Sequence, residues 1–220
     1  MTATSNGVPV SRAWNVPRSG NRYWVAIALC CLSLLVLAGC ASGPPKKPEN
    51  ICSVFDQKYG WHKASLKLQK KWDIPFYIPM AIMAQESSFR AKAKPPRTRI
   101  LGFIPGPRLS SAYGYAQALD GTWRGYVKAT GDYWRERDDF VDAMDFINWY
   151  LTQAVKSNGV SRKDPRNLYL NYHEGLEGFR RKSYQSKKWL VKVAQRVEDR
   201  AATYRAQYQK CKTHLDRGWF

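Results

Sequence analysis

The chain has 220 residues, of which 44% are hydrophobic and 24% are charged, and this length suits one domain with short appendages. Nine Trp, thirteen Tyr and eight Phe provide ample material for a core, which excludes global disorder, and the presence of one long apolar run excludes a polytopic membrane protein. The net charge of +19 indicates an anionic partner, such as nucleic acid, a membrane surface or an acidic polymer, but charge alone does not choose among them.

The N-terminal segment has the pattern of a secretion signal. Residues 1–22 carry three Arg and no acidic residue, and an apolar run follows over residues 23–40. A basic region, an apolar region and small residues at its end are typical of a secretory signal. The run ends in Leu-Ala-Gly-Cys40, which resembles the lipobox of bacterial lipoproteins. That resemblance implies a signal peptide over residues 1–39, cleavage before Cys40 and a diacylated thiol at Cys40.

The compartment follows from this segment. An uncleaved anchor helix is the alternative to a lipoprotein signal, because the run approaches spanning length. Both interpretations place residues 41–220 outside the cytoplasm, so no nucleic-acid partner is expected. Ala41, rather than Asp, follows Cys40, which resembles lipoproteins sent to the outer membrane rather than those kept at the inner one. We therefore expect an outer-membrane lipoprotein that faces the periplasm. The signal contains three Arg and no acid, so its removal lowers the net charge from +19 to +16.

The five cysteines divide between the two parts of the chain. Cys30 and Cys31 lie within the signal and Cys40 is the lipidation site. Cys52 and Cys211 remain in an oxidising compartment, where free thiols are uncommon. We predict that they form a disulfide that ties the two ends of the domain together. The alternative is a pair of free, buried thiols.

The remainder of the chain predicts a short tether and a mainly α-helical domain. Residues 40–51 comprise the lipidated Cys and a polar, Pro-rich tether, and the domain is expected over residues 52–220. Within it, apolar residues recur at steps of three and four, which favours helices. The expected helices span residues 61–72, 118–130, 138–155, 165–172 and 187–211, together with a helix that starts at Pro79.

The helix that starts at Pro79 is apolar nearly all round as far as Ala84, which predicts a central, buried helix. Glu86 lies near its C-terminal end. Residues 91–113 follow, a basic segment with four Pro in which residues 100–104 suit a short strand or hairpin arm. A loop of this length in a compact domain is usually functional or disordered. We expect its five basic residues to contact an anionic polymer, unless the loop is merely solvated.

The sequence contains no C-x-x-C pair, no His pair at helical spacing and no Gly-rich phosphate loop. Neither a metal nor an organic cofactor is therefore expected. Three other short patterns occur in order along the chain: Gln-Glu-Ser-Ser-Phe at 85–89, Gly-Tyr-Ala-Gln at 114–117 and Asn-Tyr-His-Glu-Gly at 171–175. Together they resemble the motifs of the lytic transglycosylase family with the soluble-transglycosylase (SLT) catalytic domain. The resemblance covers roughly residues 55–185.

The resemblance implies a lysozyme-like fold and cleavage of the glycan strands of peptidoglycan. Glu86 would protonate the oxygen that links N-acetylmuramic acid to N-acetylglucosamine, and would then accept the proton of the muramyl C6 hydroxyl as a 1,6-anhydro ring closes. An acid in this role needs a raised pKa, and partial burial at the end of an apolar helix favours one. Ordinary glycosidases use a second carboxylate, but substrate-assisted enzymes do not. Glu174 is the other acid in the three motifs, and we expect it to be a surface residue.

The resemblance also implies a set of substrate-binding residues. Ser87 and Gln117 would lie beside the acid and line the sugar subsites, and Tyr172 would hydrogen-bond near Glu86 and fix its orientation. Two positions depart from the usual motifs. Tyr115 and the next residue stand where Leu-Met is usual, and His173 replaces an Asn. We include both in the predicted binding site, although His173 is as well suited to a structural role.

Three alternatives stay open at this point. A hydrolase on the same scaffold would use water instead of the C6 hydroxyl, as in the goose-type lysozymes. A non-catalytic peptidoglycan-binding lipoprotein would serve as a scaffold, although it would not need an acid at position 86. A basic envelope protein that binds lipid A or DNA would be retained by polyanions at high salt.

Overall fold

The computed structural model describes Thr2 and residues 43–217, with the side chain of Ile100 left out of the description. The segment Gly43–Phe220 forms a compact unit whose buried hydrophobic core runs from Ile51 to Tyr208. The predicted signal peptide and Cys40 lie outside the described residues. The helices that the structure describes are α1 (Ile51–Gln57), α2 (Trp61–Trp72), α3 (Tyr77–Ser87), α4 (Asp120–Thr130), α5 (Phe140–Asn158), α6 (Pro165–Arg180) and α7 (Lys188–Arg217).

The described chain is mainly helical, with one small sheet, and the predicted fold class is therefore confirmed. Helix α3 lies at its centre, where it packs against α5 and α7. Every side chain from Ile78 to Ala84 is buried, which explains why the sequence of this helix lacks a polar face. The helix begins at Tyr77, two residues before the predicted start, so that Pro79 still lies in its first turn, where a missing N–H costs no helical hydrogen bond.

Most other helices lie close to their predicted positions because their ends carry local signals. The Asp139 side chain accepts hydrogen bonds from the backbone N–H of Val141 and Asp142 and so starts α5. Asp164 caps α6 in the same way, directly before Pro165. Helix α7 is six residues longer at its C-terminal end than predicted, and α1 is not among the predicted helices.

Helix α6 differs most from its prediction. The expected helix over residues 165–172 corresponds to its first part, which reaches as far as Gly175, and a second helical part that was not expected continues to Arg180. Gly175 interrupts it with φ 78° and ψ 160°, a conformation that is essentially restricted to glycine. The glycine therefore ends the first helical part, and the second part turns back towards α7 through a 3₁₀ turn at Ser183–Ser186.

A buried carboxylate joins α2, α4 and α5. Asp145 on α5 is 1% exposed and accepts hydrogen bonds from Lys71 at 2.8 Å and Tyr126 at 2.7 Å, and from Trp72, while Arg135 forms a salt bridge with it at 2.9 Å. Burial raises the pKa of Asp145, but the hydrogen bonds outweigh it and the pKa lies below its ordinary value. A buried hydrogen-bond network of this kind is rigid, so it fixes the relative positions of the three helices.

The segment after α3 contains a hairpin, but residues 100–104, expected as a strand or hairpin arm, mostly form its turn and not an arm. Strand β1 (Arg97–Ile100) pairs antiparallel with β2 (Ile104–Arg108), and the two form a small sheet. The three-residue turn between them contains Leu101 and Gly102, both with positive φ. The hairpin lies between the first and the second motif in the chain.

Residues 43–50, which belong to the predicted tether, lie against the domain. The Tyr204 hydroxyl donates a hydrogen bond to the Pro48 carbonyl, and the Gln207 amide donates to the Glu49 carbonyl at 3.2 Å. Cys52 and Cys211, the predicted pair, are joined by a disulfide that links α1 to α7. Residues 48–52 are thus held against α7. Within the described residues no helix has the length and apolar character needed to cross a membrane.

Candidate active site

Glu86 lies in the last turn of α3, one residue before the helix ends. The next two residues beyond the helix, Ser88 and Phe89, both have positive φ, so the chain reverses direction sharply there. The Phe89 side chain is 1% exposed and packs against Trp61 with ring centroids 5.8 Å apart. This buried anchor, together with the buried helix before it, holds the Glu86 carboxyl in place while leaving it partly accessible.

The surroundings of Glu86 favour the neutral acid. Burial raises its pKa from the ordinary value of a glutamate to about 7, and a hydrogen bond from the Tyr169 side chain lowers it in part. No other carboxylate among the described residues contributes to this change. The group therefore holds its proton over part of the neutral range, as a general acid must.

Two tyrosines on α6 face Glu86. Tyr169 and Tyr172 are three residues apart and thus lie on the same side of the helix. The Tyr169 hydroxyl is the hydrogen-bond partner of the Glu86 carboxyl, whereas the Tyr172 hydroxyl donates to the Ala116 carbonyl at 2.6 Å. Burial first, and then the negative charge of Glu86, raise the pKa of Tyr172 well above its usual range. Tyr172 thus lies near the acid and bonds to Ala116, while the hydrogen bond that lowers the pKa of Glu86 comes from Tyr169.

Tyr169 is not among the predicted site residues because it lies outside the third motif. Its spacing of one helical turn from Tyr172 is the signal that could have revealed it. The partly buried Tyr172 side chain instead connects the third motif to the second. Since its hydroxyl holds the Ala116 carbonyl, α6 positions both the acid and the loop that follows the hairpin.

The second motif forms a tight loop that requires glycine at its first position. Gly114 has φ 79°, and a Cβ there would lie 2.0 Å from the carbonyl oxygen of Arg137. The backbone N–H of Gly114 donates to the Ala93 carbonyl at 3.0 Å, and that of Tyr115 donates to Arg137 at 3.1 Å. The loop is thus clamped between the base of the hairpin and the segment before α5.

Gln117 closes this loop. Its side-chain amide donates to the carbonyls of Ala93 at 3.0 Å and Gly114 at 2.9 Å, and its own backbone has a positive φ of 50°. The side chain is partly accessible, so a role at the sugar subsites stays a prediction. The hydrogen bonds of the Gln117 side chain tie the hairpin base to the second motif.

Two predicted substrate-binding residues are buried instead. Ser87 is 1% exposed and its hydroxyl donates to the Met83 carbonyl one turn earlier in α3. Tyr115 is 8% exposed and packs edge-on against Trp61, whose own ring stacks on Phe140 at 3.8 Å. Both side chains therefore pack inside the domain. The position of a residue in a motif does not reveal which way its side chain points.

His173 and Glu174 of the third motif form a polar group near Tyr169. His173 is exposed and its ring lies 5.3 Å from that of Trp189 and 6.2 Å from that of Tyr169. Glu174, expected at the surface, has a side chain only 4% exposed that forms a salt bridge with Lys187 at 2.8 Å. Burial raises the pKa of Glu174, but hydrogen bonds from Lys187, Ser183 and His173 outweigh it and lower the pKa. This acid is therefore ionised and already paired.

The described residues contain no group of three or more His, Cys, Asp or Glu side chains positioned to hold a metal ion. The candidate site thus consists of one acid with a raised pKa, two tyrosines around it and a clamped loop that carries Gln117.

A comparison with protein families places this geometry in context. A family model described as the transglycosylase SLT domain matches residues 28–211, which include all three motifs. The chain belongs to the transglycosylase SLT domain family. The activity associated with this domain is peptidoglycan cleavage of the lytic transglycosylase type. A search of curated proteins gave no match.

Membership of the SLT family agrees with the geometry around Glu86. The three motifs that carry the resemblance meet at one place in the fold: the end of α3, the loop before α4 and the middle of α6. The hairpin between the first and second motifs lies beside them, because its base at Ala93 is bonded to Gly114 and Gln117.

Proposed function

We propose that this protein is a lytic transglycosylase that cleaves the bond between N-acetylmuramic acid and N-acetylglucosamine and leaves 1,6-anhydromuramyl ends. The observation that carries the proposal is the state of Glu86, whose pKa burial raises to about 7 and which faces tyrosines instead of a second carboxylate. An acid in this state can donate a proton at neutral pH and accept one afterwards.

Among the described residues no second carboxylate raises the pKa of Glu86, and this supports a substrate-assisted route. Retaining glycosidases place a nucleophilic carboxylate about 5 Å from the acid, and inverting ones place a base somewhat farther away. Charge on such a carboxylate would raise the pKa of Glu86, yet burial is the cause that raises it here. Glu174, the other acid of the motifs, is committed to Lys187.

In the proposed reaction Glu86 transfers its proton to the glycosidic oxygen as the bond to muramyl C1 breaks. The N-acetyl group of the substrate stabilises the positive charge that develops at C1. The muramyl C6 oxygen then bonds to C1 while its proton passes to the Glu86 carboxylate. The acid is regenerated, no water is consumed and no cofactor is needed. The hydrogen bond between Tyr169 and Glu86 stabilises the carboxylate between the two proton transfers.

We further propose that the enzyme acts in the periplasm as a lipoprotein, anchored to the outer membrane through a lipid on Cys40. This rests on the basic, apolar and small-residue pattern over residues 1–40 and on Ala41. Metabolic labelling of the full chain with a radioactive fatty acid tests it. Labelling of the wild type and its loss in Cys40→Ser are expected, whereas equal labelling of both would contradict the proposal.

The catalytic test is digestion of purified sacculi with residues 41–220, followed by mass spectrometry of the soluble fragments. This segment contains the whole described core and the disulfide, so it has what it needs to fold. Wild type should release fragments with anhydromuramyl ends, and Glu86→Gln should release none. The matched control is Glu177→Gln, an exposed acid on α6, which should behave like wild type.

Each other outcome identifies one of the alternatives. Reducing muramyl ends that disappear in Glu86→Gln would make the protein a hydrolase. Binding to sacculi without any fragments would favour a scaffold lipoprotein. Misfolding of the variant is checked by thermal unfolding. Because burial disfavours the ionised carboxylate, Gln at position 86 should leave the stability at pH 8 equal to or above that of wild type.

A further inference from the structure

The tip of the hairpin exposes large apolar side chains. Leu101 is 79% exposed, Phe103 is 76% exposed and Ile104, the first residue of β2, is 42% exposed. All three lie at or next to the turn between β1 and β2, at the end of the hairpin farthest from its base at Ala93. None of the three side chains belongs to the core, and large exposed apolar side chains grouped at one turn are a mark of an interaction site.

The arms of the hairpin carry positive charge that the protein does not neutralise. Residues 87–119 contain six basic residues and no acid. Among the described residues none of these six forms a salt bridge. Arg97 and Arg108 are directly opposite each other across the two strands. Like charges in this arrangement destabilise a strand pair, so an anionic partner would relieve a repulsion that the isolated hairpin contains.

The guanidinium groups are held by the backbone. Arg97 donates to the Gly106 carbonyl at 3.3 Å, and Arg108 donates to the Pro95 carbonyl at 2.6 Å. Both charges thus stay beside the strands, Arg97 four residues before the turn and Arg108 five residues after it, where their remaining N–H groups can reach outward. The resulting order along the arm is an apolar tip followed by a basic collar. That order matches a lipid surface, in which an apolar layer lies beneath a layer of anionic head groups.

We infer that this hairpin docks on an anionic lipid bilayer, with Leu101, Phe103 and Ile104 entering the interface and the arginines contacting phosphate groups. A purely anionic polymer would account for the charges but leave the aliphatic tip in water. Because Ala93 at the hairpin base is bonded to Gly114 and Gln117, docking would also hold the second motif at a set distance from the membrane. The inference goes beyond the proposed catalysis and does not depend on it.

The test is flotation of residues 41–220 with vesicles of phosphatidylethanolamine and phosphatidylglycerol, compared with vesicles of phosphatidylcholine alone. The double variant Leu101→Ser/Phe103→Ser should bind the anionic vesicles at least about ten-fold more weakly than wild type, since two buried apolar anchors are lost. The matched control is Tyr59→Ser/Trp134→Ser, which removes two equally exposed large side chains at other places. The control should bind like wild type.

A second measurement separates insertion from adsorption of a basic protein. A fluorescent NBD label on Phe103→Cys should shift its emission to shorter wavelength when anionic vesicles are added, and the same label on Tyr59→Cys should not. Equal vesicle binding by wild type and the tip variant, an unchanged emission at position 103, or no binding of wild type would each overturn the inference. The changed side chains are exposed, so thermal unfolding should be unaffected and any loss of binding is attributable to the tip.

Discussion

At the scale of single residues, the main feature is Glu86, whose pKa depends on the residues around it. Glu86 gains its raised pKa from burial at the end of α3, while Tyr169 opposes that rise by donating a hydrogen bond. Because general acid catalysis needs the protonated form, we expect cleavage of sacculi to decline as the pH rises through about 7.

The variant Tyr169→Phe tests the balance between these two effects. Loss of a hydrogen bond that favours the carboxylate raises the pKa of Glu86 further, so the alkaline limb of the pH–rate profile should move upward by up to about one pH unit. The matched control is Tyr184→Phe, whose ring stacks on Phe179. A limb that stays in place or moves downward in Tyr169→Phe would show that Tyr169 does not position or stabilise the acid.

At the scale of elements, the bend in α6 determines what the third motif can reach. Tyr169, Tyr172 and Glu174 precede Gly175, and the part after it turns towards α7. Glu174 pairs with Lys187, the residue before α7. The backbone at Gly175 has a conformation that a Cβ makes costly, although its surroundings leave room, with the nearest atom 3.9 Å away. Strain, rather than a steric clash, is therefore the expected effect of a substitution.

The variant Gly175→Ala should lower the free energy of unfolding by about 1–3 kcal/mol, measured by urea denaturation. Gly125→Ala is the matched control, since Gly125 lies within α4 and a Cβ there would meet open space. That change should raise the stability by about 0.5–1 kcal/mol, because alanine favours a helix more than glycine does. A Gly175→Ala protein as stable as wild type would mean that the bend is not imposed by the backbone at this residue.

At the scale of the whole molecule, the two ends of the domain are held together. The disulfide spans 159 residues and joins α1 to α7, and residues 48–51 add hydrogen bonds to the same stretch of α7. Closing so long a loop restricts the unfolded chain, which stabilises the native state by several kcal/mol in the chain-entropy description.

The double variant Cys52→Ser/Cys211→Ser should therefore be less stable than wild type by about 4 kcal/mol in urea denaturation. A reducing agent should destabilise wild type by a similar amount and leave the double variant unchanged, which serves as the control. An equal response of both proteins to the reducing agent, or none in either, would argue against this bond as the source of the stability.

Local patterns in the sequence predicted the helices well but not all of their ends. The apolar run of α3, the caps at Asp139 and Asp164 and the spacing along α7 each depend on neighbours within a turn or two. The same local signals located the break at Gly175 but not the second helical part that follows it. Glycine can either end or bend a helix, and the outcome depends on whether later residues have a surface to pack against, which here is α7.

By itself, the sequence determined the family resemblance, the helical architecture, the acid at the end of a buried helix and the hairpin between the motifs. These are properties of short segments, where residue type and spacing limit the choices. The tertiary structure decided that Tyr169 bonds to Glu86, that Ser87 and Tyr115 face inward and that Glu174 is paired with Lys187. Each of these depends on side chains from distant segments meeting in a packed interior, and motif spacing carries no information about that packing.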